Sequence, residues 1–72
     1  MAQRELRKAM ASTEKRMATL KGKIEAKQAE MAAADPSDYV ALTALQDEIA
    51  AFQAQVDELE LAWLDAAEAL EG

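Results

Sequence analysis

The sequence predicts an all-α fold, a two-helix antiparallel coiled-coil hairpin, and three observations carry the prediction. Two stretches repeat apolar residues every 3.5 positions, one Pro-containing break separates them, and the two halves carry opposite charge. The first seam takes Leu6, Met10, Thr13, Met17, Leu20, Ile24, Lys27 and Met31, in steps of four and three. The second takes Leu42, Leu45, Ile49, Phe52, Val56, Leu59, Trp63, Ala66 and Leu70. A 3.5-residue repeat keeps one narrow stripe facing a partner helix and favours left-handed supercoiling, whereas a globular helix shows a broader stripe at period 3.6. Each helix therefore needs the other.

The first helix is predicted over about 3–33, since Ala, Leu, Lys, Glu and Gln dominate it. Gly22 is its one interruption, costing about 1 kcal/mol relative to Ala. The turn is placed at about 34–36. Pro36 pushes the residue before it out of the α region and itself suits a first helical position, which makes Asp35 the expected N-cap, with Asp38 supporting the same terminus. The second helix then runs over about 36–70 with no Gly or Pro after Pro36. So short a connection makes the helices antiparallel neighbours in one hairpin spanning 1–72.

Residues 1–34 hold all eight Lys and Arg against four Glu, a balance of +4; residues 35–72 hold ten Asp and Glu and no basic residue, a balance of −10. A basic helix beside an acidic one favours intramolecular pairing over self-pairing, and a monomer is expected. Two registers one heptad apart compete. In the first, Ile24 meets Leu45, Leu20 meets Ile49, Met17 meets Phe52 and Leu6 meets Trp63, and the flanks bring Arg7 to Glu60 and Lys23 to Glu48. The second brings Glu14 to Glu60 and Glu30 to Glu48, two repulsions, and centres the turn on Asp38. Charge selects the first, although each exposed pair contributes only tenths of a kcal/mol. In that register Trp63 packs against Leu6 and Met10, and Lys27, on the seam near the turn, lays its stem along the apolar stripe while its ammonium reaches water.

The composition excludes much chemistry. With no Cys and no His, disulfides, thiolate nucleophiles, imidazole bases and the usual zinc ligand sets are absent, so no catalytic residue, metal or other cofactor is expected. No apolar run approaches the roughly 20 residues that span a bilayer, and no secretory apolar core opens the chain. A cytoplasmic protein with no membrane association is expected.

What remains is binding or spacing. Projected at about 100° per residue, Arg4, Lys8 and Lys15 fall together on the face opposite the seam, with Arg16 flanking them. Ala11, Ala18, Gly22, Ala26 and Ala29 share that face, and no carboxylate does. Small residues would let a phosphate backbone approach and the cations would bind it, so Arg4, Lys8, Lys15 and Arg16 are the candidate nucleic-acid contacts, without an aromatic platform for stacking bases. Against this stands an ordinary solvated Ala-rich face. Leu61 and Leu64 lie off the seam beside Trp63, where a hairpin does not need them, and mark a candidate protein-docking surface. A dimer of hairpins forming a four-helix bundle ranks third, because the seams are narrower than a bundle needs.

Specific residues narrow the field. Arg4-Glu5-Leu6-Arg7-Lys8 and then Glu14-Lys15-Arg16 open the basic helix, Asp38-Tyr39 follows the break, and Leu42, Leu45 and Leu59-Glu60-Leu61-Ala62-Trp63-Leu64-Asp65 mark the acidic helix. Over nearly its whole length the chain resembles the C-terminal domain of ABC-F proteins, soluble tandem ATP-binding cassette ATPases without membrane spans. The Asp-Tyr and Glu-x-x-Trp-Leu spacings are its most specific elements. The resemblance implies the terminal module of a larger ATPase acting on ribosomes and translation, with a hairpin associated with DNA binding. Its expected partners are nucleic acid, DNA or ribosomal RNA, and the parent ATPase domains. ATP chemistry would belong to the cassettes, since no Gly-rich phosphate loop occurs here.

Overall fold

The computed structural model describes residues 2–71, so Met1 and Gly72, at the ends of the expected 1–72 hairpin, lie outside it. Helix α1 (Ala2–Ala33) and helix α2 (Tyr39–Glu71) form the all-α hairpin read from the heptads. At about 1.5 Å rise per residue, the 32 residues of α1 account for most of the 55 Å length of a rod only 14 by 12 Å across. Such a rod has one place for a core, the seam between its helices. Leu20, Ile24 and Val56 are buried there, and Ile49, Phe52 and Leu59 pack around them. Every residue read onto either seam is buried or half-buried, including Lys27 and Thr13. Thr13 tolerates its place because its hydroxyl donates to the Ala9 carbonyl at 2.8 Å, so no polar group is left unsatisfied.

The turn differs from the expectation, and the register changes with it. Asp38, not Asp35, is the N-cap of α2: its carboxylate accepts the Ala41 N–H at 3.1 Å and its carbonyl accepts the first helical bond, from Leu42 N–H. Asp35 shapes the loop instead. Its side chain accepts the Ser37 N–H at 2.9 Å and the Ser37 hydroxyl at 2.8 Å, while its carbonyl accepts the Asp38 N–H at 3.0 Å. Asp35 to Asp38 is thus a β-turn with Pro36 at its second position and an Asx hydrogen bond inside it. No residue among those described has positive φ, so the reversal needs no glycine. Pro36 and Ser37 therefore belong to the turn, and α2 starts at Tyr39 rather than at about 36.

With the longer turn, Val56 packs with Leu20 and Ile24, and Phe52 joins them. The pairings of Ile24 with Leu45 and Leu6 with Trp63 are overturned in favour of the register one heptad away. Arg7 with Glu60 and Lys23 with Glu48 are not ion pairs among the described residues. Lys23 instead places its ammonium 5.7 Å from the centre of the Phe52 ring. Of the two repulsions that weighed against this register, that of Glu30 with Glu48 is relieved by Lys27, whose ammonium lies 3.0 Å from Glu48 and 3.4 Å from Glu30. Trp63 moves as well. It shares a groove with Met17, Glu60 and Leu64, its indole N–H donates to Glu14 at 2.9 Å, and the changed register takes it away from Leu6. A half-buried indole needs such an acceptor, and this register supplies one.

Candidate nucleic-acid interface and docking face

Helix α1 buries its seam against α2, so the opposite face is left to solvent over the helix's whole length. Arg4, Lys8 and Lys15 are exposed there, with Ala11, Ala18, Gly22, Ala26 and Ala29 between and beyond them. A Cβ built on Gly22 would meet nothing within 4 Å, which confirms that this side is open. Among the described residues none of the three cations is ion-paired. Arg16 is exposed but lies elsewhere: it lines the groove between the helices with Thr19, Leu20, Gln55, Glu58 and Leu59. The structure therefore groups three of the four candidate phosphate contacts and sets the fourth at the edge, where Glu58 shares its groove.

The other basic residues divide by position. Lys27 is held by Glu48 and Glu30, whose hydrogen bonds raise its pKa above the ordinary 10.5 and keep it charged. Lys23 is occupied over Phe52. In the turn, hydrogen bonds from the Ser37 N–H and then the Ser37 hydroxyl hold the Asp35 carboxyl below its ordinary 3.8. These charges serve the hairpin itself. Arg7 and Lys21 are also exposed and, among the described residues, not ion-paired, but Arg4, Lys8 and Lys15 are the cations grouped on the back of α1. Such a set can bind phosphates without reading base edges.

On α2 the two off-seam leucines stay in solvent, Leu61 63% and Leu64 49% exposed. Leu64 lines a groove with Met17, Glu60 and Trp63. Sequence reasoning missed a second apolar exposure, Tyr39 and Val40 at the turn end of α2, also largely in solvent. Its signal was available, since neither residue falls on the seam. The Trp63 to Glu14 bond was missed too, because it exists only in the register that charge counting rejected. Among the described residues no group of His, Cys, Asp or Glu is placed to hold a metal ion, and no helix is long and apolar enough to cross a membrane.

Comparison with curated proteins and with solved structures finds no match. A family model does match, and it spans nearly the whole hairpin, with the first seam, the turn and the second seam as far as Ala66. Over residues 2–68 the match is to the ABC transporter C-terminal domain, and the chain belongs to that family.

Proposed function

We propose that this hairpin is the non-catalytic C-terminal module of a soluble ABC-F ATPase with two ATP-binding cassettes, and that it contacts nucleic acid, DNA or ribosomal RNA, through the basic face of α1. Arg4, Lys8 and Lys15 carry the contact and Arg16 flanks it. The supporting observation is the division of charge over the rod. Lys27 and Lys23 are occupied within the hairpin, whereas Arg4, Lys8 and Lys15 on the outer face of α1 are exposed, form no ion pair among the described residues and share their face with Ala and Gly. A phosphate backbone approaching that face meets positive charge and little steric bulk. Catalysis would reside in the cassettes of the parent protein, which acts in the cytoplasm, and the hairpin would add affinity and position. Family membership supports the accessory role, and the Asp38-Tyr39 and Glu60-x-x-Trp63-Leu64 spacings support the ABC-F assignment.

The test is a titration of the chain with duplex DNA and with structured RNA at low salt, following backbone amide shifts. Shifts along Arg4 to Arg16 are expected. Shifts confined to α2, or binding unchanged in the Lys8→Glu, Lys15→Glu variant, would remove the strip as the site. A second reading, a docking arm for protein partners including the parent ATPase domains, is favoured by the exposure of Leu61 and Leu64.

A further inference from the structure

The outer face of α2 has a composition that a solvated helix does not require. Leu61 and Leu64, three residues apart, lie side by side on a helix surface and are both in solvent. Asp57 and Glu68 stand one turn before and one turn after the pair on the same face, and Glu60 and Asp65 flank it. All four carboxylates are exposed and, among the described residues, none is ion-paired. Helix α2 contains no Lys or Arg to neutralise them. Leu64 also lines a groove together with Met17, Glu60 and Trp63.

From this arrangement we infer that the Leu61–Leu64 face docks a basic amphipathic helix, with apolar residues at i, i+3 or i+4 and i+7 between lysines or arginines. The two leucines and the groove take the apolar residues, and the carboxylates take the cations, in the helix-in-groove mode. Flexible Met17 suits a groove that adapts to its occupant. Charge complementarity decides among occupants. A second copy placing its own α2 here would set four carboxylates against four. Its α1 would offer cations, but its outer face carries Ala and Gly, with no large apolar side chain to meet the leucines. Anionic lipid headgroups would be repelled. The inference rests on the docking-arm reading and names its partner class; it is independent of the nucleic-acid strip, which lies on the other helix.

The test uses the 72-residue chain and a synthetic amphipathic Leu/Lys helical peptide as probe, read by amide shifts and Trp63 fluorescence. Controls are a Leu/Gln peptide of the same pattern, oligolysine, and the Leu61→Ser, Leu64→Ser variant, whose fold circular dichroism verifies. Shifts centred on Leu61, Leu64 and Glu68, with binding weakened at least tenfold by the double substitution, are expected. Equal binding of oligolysine would reduce the site to charge alone and overturn the inference. If the Leu/Gln peptide binds as tightly through the same leucines, docking stands but the basic partner falls. If no peptide perturbs Leu61 or Leu64, both fall. A dimer in sedimentation that the leucine substitutions dissociate would assign the face to a second copy and also overturn it.

Discussion

Val56→Ala offers the sharpest test of how the hairpin is held together, because Val56 is the most buried residue, 1% exposed between Leu20 and Ile24. The substitution removes two methyl groups. At about 0.8 kcal/mol each the lost transfer energy is about 1.6 kcal/mol. A residual void of roughly 50 Å³ would add about 1 kcal/mol if the seam did not collapse. The better helix propensity of Ala returns about 0.5 kcal/mol. A net loss of about 2 kcal/mol follows, and for a domain of this size it lowers the melting temperature by about 8–16 °C. Val40→Ala is the matched control: the same atoms are removed from a side chain 83% exposed at the far side of the turn. That variant should melt within about 3 °C of the parent, since exposed sites rarely change stability by more than about 0.5 kcal/mol. Both are read by circular dichroism at 222 nm during heating. Melting temperatures for the two variants within about 2 °C of each other would refute the claim that burial at the seam centre stabilises the rod.

Other predictions address the remaining elements. Gly22→Ala should stabilise the chain by about 1 kcal/mol in urea titration, since the added methyl meets no atom within 4 Å and the helix gains propensity; destabilisation would mean that the back of α1 is not free. Nuclear Overhauser effects should connect Ile24 with Phe52 and not with Leu45, as the register requires. The folded-state pKa of Asp35 is depressed, so its contribution is fully present above the ordinary 3.8 and is lost as pH falls through the lower folded value. Asp35→Asn should therefore flatten the acid end of the stability profile, and an unchanged acid limb would show that the turn carboxylate does not contribute.

Heptad spacing alone identified the seam residues of both helices, because a 3.5-residue repeat in a chain this short leaves one way to bury apolar area. Register was a different matter. Both alignments bury the same seams, so the choice lay with turn geometry and a few polar contacts. Asp35 and Asp38 both read as caps, and only the bond from Ala41 N–H to Asp38 tells which begins α2. Charge counting placed Glu30 against Glu48 as a repulsion, but a lysine on the seam between them converts it into a bridge. Lys27 was legible as a snorkelling side chain, not as the link between helices. The candidate strip on α1 was read by projecting one helix, which does not depend on register. Arg16 was read as flanking that face, and its groove beside Leu59 and Glu58 appears only once the helices are aligned.

The nucleic-acid strip is tested most directly by the salt dependence of duplex DNA and structured RNA binding. Three or four phosphate contacts through Arg4, Lys8, Lys15 and Arg16 predict a slope of log affinity against log salt of about −3. The Lys8→Glu, Lys15→Glu variant should remove most of that slope with its helical content intact. A slope near zero for the parent chain, or the same slope in the variant, would contradict the account.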